Sequence, residues 1–470
     1  MKIVWLPGFY EAGIAISDDP DNGTWAQFKG IYDLLYALGL PTTRAMWVFD
    51  PVEPTGTPPL PVCFHAPLLA EKACLEYCRR LHAGGFEICL HGASSGNNTR
   101  GMMIKALEFL EREIGGAQTY ICHSKNAENL YWDRECASSS FLSLLLGLYT
   151  KNRCFGEVEG SPYFWGDLAR SKISYVRLFR TRRADTLAVN PSMPYHDFRK
   201  PYVNFWFSAS KGYLPRLFDP ASVGRLCAEN GASIVYQYLH KYVDIEGRID
   251  PAVRSCLERL ASDSRILFRP VSILLNRLKQ FQTLFPLTFG GKAYLINASR
   301  RPVESVQIGL ENGETLDPAS SQGIASRGAK INIGTVGPLS VRPLPLAGVR
   351  AKAAPYRLMM HGDIAELRFP LGCIIANCSS DPRLMSDRFG RLTQKFLGLE
   401  KLDGNGVAVF YKTREAKRLE ILRPVPPKEL GRLLWGQMKI LLREHLVLGR
   451  KISSAAYLKN PGEIEDQSNW

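Results

Sequence analysis

Seven short apolar runs in the first 280 residues each meet a polar residue, and amphipathic stretches of helical period separate them. The runs are IAIS before Asp18, RAMWVF after Thr43, FEICL before His91, TYIC before His123, ISYVRLF, VNFWFS, and SIVYQYL before His240. Between them lie FKGIYDLLYAL, AEKACLEYCRRL, GMMIKALEFLEREIG and PAVRSCLERLAS. Parallel strands need crossovers of a dozen or more residues, and these stretches supply them. The alternation predicts an α/β fold, with an irregular (β/α) barrel over residues 1–280. Seven or so strands favour a closed barrel over an open sheet.

The pattern changes near Phe281. KAYLINAS, VESVQIGL, AKINIG and LSVRPLPL are short strand-like runs separated by Gly, Ser, Asn and Pro, which predicts a β-rich accessory domain over 281–350. Residues 351–470 read as a mixed α/β region. Within it, PKELGRLLWGQMKILLREHLVLG (427–449) has Pro near its start and Gly at its end, the punctuation of a basic amphipathic helix. A chain of 470 residues is expected to hold more than one domain.

The net charge is +14, and it is unevenly placed. Residues 1–280 carry 32 basic against 28 acidic side chains, and residues 281–470 carry 27 against 17. No zinc-finger spacing or RNA-recognition signature accompanies the excess, so no nucleic-acid partner is expected. Walker and GxGxxG loops are absent too, which leaves nucleotide binding without support. The longest clean apolar run, Phe141 to Tyr149, is far short of a bilayer span, and the start MKIVWLPGFYEAG lacks the regions of a signal peptide. The expectation is a cytoplasmic protein, with the basic helix near 427–449 offering peripheral contact at the inner face of the membrane. Eleven cysteines form no CxxC pair and read as reduced thiols.

Active sites of parallel barrels form at the C-terminal strand ends. There the chain places Asp18, Asp19 and Asp21 after IAIS, and His91, His123 and His240 after three later runs. A single such histidine is more often a strand cap, but three of the eight histidines share this kind of position. Carboxylate and neutral imidazole together bind zinc, iron or cobalt and activate water near neutral pH. SDDPDNGT is equally a turn and helix cap, because Asp, Asn, Gly and Thr suit both. The aromatics Tyr131, Trp132, Tyr195, Tyr202, Trp206 and Tyr236 can stack on sugar rings or fill a core. The loop SSGNNTR, with Asn97, suits ligand binding or a helix cap.

Between residues 10 and 280 the stretches SDDPDNGTWAQF, GLPTTRAMWV, LHGASSGNNTR, HSKNAENLYW, NPSMPYHD, KPYVNFWFS and YLHKYVDIEGRIDPAVRSCLERLAS resemble the polysaccharide deacetylase family. The likeness is to a divergent branch found among proteins of surface-polysaccharide biosynthesis. It implies metal-dependent deacetylation of a sugar in a polysaccharide or glycolipid precursor. Asp18 is then the base, Asp19 a metal ligand and His240 a catalytic partner. The second family motif carries two histidines four residues apart, whereas here His91 is followed by Ser95. His123 is the substitute candidate, so the expected metal set is Asp19, His91 and His123. The family's Arg-containing third motif is replaced by SMPYHD. Asn97, Asn126, Tyr195, His196 and Trp206 are the expected substrate contacts. The rival reading is a carbohydrate-binding protein that kept the barrel and lost its metal. A glycoside hydrolase ranks last, because adjacent Asp18 and Asp19 cannot flank a bond at ~5 to 9 Å.

Overall fold

The structure is a computed structural model. It describes residues 2–52, 64–123, 126–132, 135, 144, 154–189, 193–194, 200–282, 284–289, 292–297, 301–310, 313–316, 326–327, 330–338 and 340–348, and the backbone of five strands between 357 and 412. Contacts divide the chain into two units, Glu11–Leu275 on one side and the residues up to Tyr10 with Asn276–Pro424 on the other.

Strands are numbered along the chain from β1 (Lys2–Val4). The first unit is a barrel of seven parallel strands, β2 (Ala12–Asp18), β3 (Thr43–Met46), β4 (Glu87–Leu90), β5 (Thr119–Tyr120), β6 (Tyr175–Thr181), β7 (Phe205–Lys211) and β8 (Ala232–Gln237), each bonded to the next. Six residue pairs, Gly13↔Ala232 to Asp18↔Gln237, join β8 to β2. On its other edge the end of β2 pairs with β3 through Ser17↔Thr43 and Asp18↔Arg44. The beginning of that edge pairs instead with β9 (Ile266–Phe268). The ring therefore closes at its C-terminal end, where β2 delivers its aspartates, and splays at the other to admit an extra strand.

Helices follow the predicted stripes. Trp25–Ala37 buries Phe28, Ile31, Tyr32 and Leu35 and starts at a capping box in which Thr24 and Gln27 satisfy each other's backbone N–H. Arg100–Ile114 buries Met103, Ala106, Leu107, Leu110 and Ile114, and stops at Gly115, whose φ of 100° suits the left-handed helix stop. Pro251–Ser262 is capped by Asp250 and opens with proline.

The second unit is strand-rich. β1 pairs antiparallel with Val303–Gly309, which pairs in turn with Lys330–Val336. A three-stranded sheet joins Leu284–Phe289, Lys292–Asn297 and Ser340–Leu344. Five antiparallel strands between Arg357 and Lys412 form another sheet. Two boundaries differ from the sequence expectation. The first ten residues leave the barrel, because β1 finds its hydrogen-bonding edge about three hundred residues away, at Val303–Gly309. The division falls at Leu275/Asn276 rather than 280. Of residues 351–470 the described part is these five strands, and the helix expected at 427–449 lies outside the described residues. Among the described residues no helix is long and apolar enough to cross a membrane.

Candidate metal centre

Asp18 closes β2, and the chain reverses immediately after Asp19. The Gly23 N–H donates to the Pro20 carbonyl at 3.0 Å, with Asn22 at φ 62° in the left-handed region that Asn tolerates. This reversal turns Asp21 back over the barrel mouth. A Cβ on Gly23 would meet the His240 ring at 3.1 Å, so any larger residue there has to displace that ring by a few tenths of an ångström.

Asp21 meets two imidazoles. Its Oδ1 lies 3.1 Å from His91 Nε2 and its Oδ2 lies 3.7 Å from His123 Nε2. One ligand atom from each of the three residues falls within 4.8 Å of the other two. Both histidines are held from behind. His91 Nδ1 donates to the Ile121 carbonyl at 2.8 Å. His123 Nδ1 is 2.8 Å from Asn126 Oδ1, and the Asn126 amide already donates to Gly96 O at 2.6 Å and Glu128 Oε1 at 2.9 Å. Asn126 Oδ1 is therefore the acceptor, and His123 Nδ1 carries its proton. Each ring then turns an Nε2 lone pair toward a carboxylate. With both rings neutral, lone pairs converge with no N–H or O–H between them, and among the described residues Asp21 Oδ1 and His91 Nε2 have no other hydrogen-bond partner; a cation, or a proton on His91 Nε2, completes the 3.1 Å approach. A cation is the group this donor set fits, and the outer hydrogen bonds are those that orient metal-binding histidines. Burial pushes the His123 imidazole down, toward its neutral, ligating form.

The walls are aromatic. Trp47 lies 5.5 Å from His91 and 5.4 Å from His123, and donates its Nε1–H to the His91 carbonyl at 3.1 Å. Glu128, fully buried, ties the SSGNN loop to the site: it accepts from Asn98 N at 3.0 Å, Asn98 Nδ2 at 2.5 Å and Asn126. Burial pushes its carboxyl up to about 7 against the pull of these donors.

The other predicted residues divide. Asp19, expected as a ligand, is instead clasped by Arg177, with Nη1–Oδ1 and Nη2–Oδ2 both 2.7 Å. Asp21 takes the place expected of it in the triad. Asp18, expected as a base, accepts from Arg44, from Tyr32 OH at 3.1 Å and from Leu239 N at 2.7 Å. That last bond fixes the turn carrying His240, a buried imidazole whose Nδ1 has no partner among the described residues and which burial pushes down to about 3. Asn126, expected as a substrate contact, is 1% exposed and orients His123. Trp206 is 0% exposed in β7 and belongs to the core. Asn97 is half-buried and accepts from Ala127 N at 2.9 Å, a loop pin. Tyr195 and His196 lie outside the described residues. Sequence reasoning named Asp21 only as part of the aspartate cluster and missed Arg44, Arg177 and Glu128. An isolated Arg in an otherwise apolar strand, as in YVRLF, was the available signal for Arg177.

No family model matches the chain, and no curated protein matches it. Among solved structures, a glycoside hydrolase 29 family member from an unknown rumen bacterium is 8% identical, with a TM-score of 0.27 over 79% of this chain and 81% of that chain. A likeness of that size carries no statement about activity.

Proposed function

We propose that this chain is a metal-dependent hydrolase that removes an acetyl group from a sugar of a polysaccharide or glycolipid precursor. The observation that carries the metal part is the convergence of Asp21, His91 and His123 without a donor among them. The acetyl-sugar part rests on the stretches around these residues, SDDPDNGTWAQF, LHGASSGNNTR and HSKNAENLYW, which resemble the deacetylases. Zinc is the ion best matched to two neutral imidazoles and a carboxylate, and iron or cobalt suit the same donors.

Such an ion supplies Lewis acidity, polarising the acetyl carbonyl and making water nucleophilic near neutral pH. Among the described residues Asp19 accepts hydrogen bonds from Arg177 alone, so each oxygen keeps a lone pair, and it is assigned as acceptor of the water proton. Asp18, with three donors on it, is a positioning residue for Arg44 and for the His240 turn. His240, neutral near pH 7, hydrogen-bonds the departing amine or alcohol, which takes its proton from Asp19. The rival binding-protein reading drew on the missing imidazole at Ser95, and His123 supplies an imidazole from the next strand.

The test is metal content by mass spectrometry together with acetate release from N-acetylglucosamine oligomers. Wild type is expected to hold about one equivalent, as a single three-ligand site does. Asp21→Asn and His91→Ala lose both metal and activity. Asp19→Asn keeps the metal while its rate falls roughly 10²–10⁴-fold, the size of general-base catalysis. A wild-type protein that stays metal-free after reconstitution would sink the reading.

A further inference from the structure

A second polar concavity lies at the C-terminal ends of β6 and β7. It encloses about 470 Å³ between the residues after Thr181, those after Lys211 and the helix Pro220–Glu229. Among the described residues, Arg182, Arg183, Lys211, Arg216 and Arg225 line it, against two carboxylates, Asp185 and Glu229. Asp185 is partly committed, since its Oδ1 accepts from Ala188 N at 2.8 Å.

Among the described residues, two of these guanidinium groups form no ion pair. Arg183 bonds only through its backbone, N to Thr181 Oγ1 at 3.3 Å. The Arg225 guanidinium donates to Ser222 Oγ at 2.9 Å; Asp219, whose oxygens accept from Ser222, feels the Arg225 charge without forming an ion pair with it. A concave surface with an excess of one charge focuses its field and concentrates the opposite ion. Arginine forks match the oxygens of phosphate in geometry as well as charge. One aromatic ring, Tyr236, is approached both by a residue of the cleft and by the partner of Asp19. Lys211 Nζ lies 5.5 Å from the centre of the Tyr236 ring, and Arg177, the partner of Asp19, lies 4.1 Å from the same ring.

We infer that this cleft binds a phosphate group, either as the free ion or as the phosphoryl end of a sugar phosphate. The inference stands on the cleft alone, and its test involves neither metal nor turnover, so it can fail while the hydrolase reading holds, and the reverse.

The experiment is calorimetric titration of the full chain at low ionic strength with inorganic pyrophosphate, N-acetylglucosamine 1-phosphate and N-acetylglucosamine. Wild type is expected to bind at least one of the two phosphates and to bind it more tightly than the uncharged sugar. Arg183→Ser combined with Arg225→Ser weakens that binding about tenfold, as loss of charge-assisted hydrogen bonds does. Both side chains are exposed, so the fold tolerates the change. Arg254→Ser, on the exposed face of Pro251–Ser262, leaves binding unchanged. Tighter binding of the sugar phosphate than of pyrophosphate identifies the phosphoryl end of a glycan precursor as the ligand, and the opposite order identifies the free ion. No binding of either phosphate, or an equal loss in Arg254→Ser, overturns the proposal.

Discussion

Asp18 and Asp19 at the end of β2, and Asp21 two residues beyond, are chemically the same group in opposite surroundings. The first two are each matched by a buried guanidinium, Arg44 and Arg177. Asp21 faces two ring nitrogens whose protons are committed elsewhere, to Ile121 O and Asn126 Oδ1. A carboxylate matched by a guanidinium needs no cation, whether all its donors hold structure, as at Asp18, or its remaining lone pairs are free for a water proton, as proposed for Asp19. One surrounded by lone pairs is unsatisfied until a cation or proton arrives. The role of each acid is thus set by what points at it, not by its distance from the strand end.

The sharpest way to break this contrast is to make Asp19 resemble Asp21. Arg177→Met leaves the Asp19 carboxylate buried with its donors gone. Removing one partner of a buried pair costs about 3–5 kcal/mol, whereas replacing both with apolar groups recovers most of the loss. Urea unfolding followed by tryptophan fluorescence is expected to show that drop for Arg177→Met and its recovery in Arg177→Met/Asp19→Leu. A single variant within about 1 kcal/mol of wild type would mean that Asp19 finds other donors, and its separation from Asp21 would lose its basis.

A pH-dependent effect of comparable full size, realised only on acidification, belongs to His240, on the unsatisfied side. Its imidazole is pushed from an ordinary 6.5 down to about 3 by burial, with the nearby Arg44 and Lys241 charges in the same direction. Between those two pH values the unfolded chain takes up a proton that the folded chain refuses. Stability therefore falls as pH drops from 6.5 toward 3, and this contribution is absent above 6.5. Each tenfold difference in proton affinity between the folded and unfolded chain is worth about 1.4 kcal/mol, so roughly 2 kcal/mol is lost by pH 5 and the full loss comes to roughly 5 kcal/mol. His240→Asn is expected to flatten the slope of unfolding free energy over that window relative to wild type. Parallel slopes in the two proteins would show that His240 is charged in the fold.

How much of this was legible in the sequence depends on the range of each interaction. The barrel was readable because its signals are local: a period of two or an apolar run, then a period near 3.6, repeated with polar residues at the junctions. His91 and His123 sit directly after their runs, and parallel pairing brings neighbouring strand ends together. The choice among three aspartates was not readable, because it depends on the reversal at Pro20–Gly23 and on Arg177, 158 residues away. Trp206 was misplaced since β7 is buried on both faces from Phe205 to Ser210, so alternation distinguishes no ligand face there. The short strand Lys2–Val4 pairs with Val303–Gly309, a partner that no neighbouring residue announces.

The smallest expected effect tests whether burial, rather than geometry, makes the Arg177–Asp19 pair costly to break. Arg100 and Asp167 form the same two-pronged fork, at 2.6 and 2.8 Å, but with side chains 37% and 48% exposed. Water answers either group when the other is removed, so Asp167→Asn is expected to cost less than about 1 kcal/mol and to lose even that at high salt. The measurement is the same urea titration, run at low and high ionic strength. A cost near that of Arg177→Met would transfer the weight from desolvation to the fork itself. The contrast between satisfied and unsatisfied carboxylates would then rest on hydrogen-bond geometry in every setting, exposed or buried.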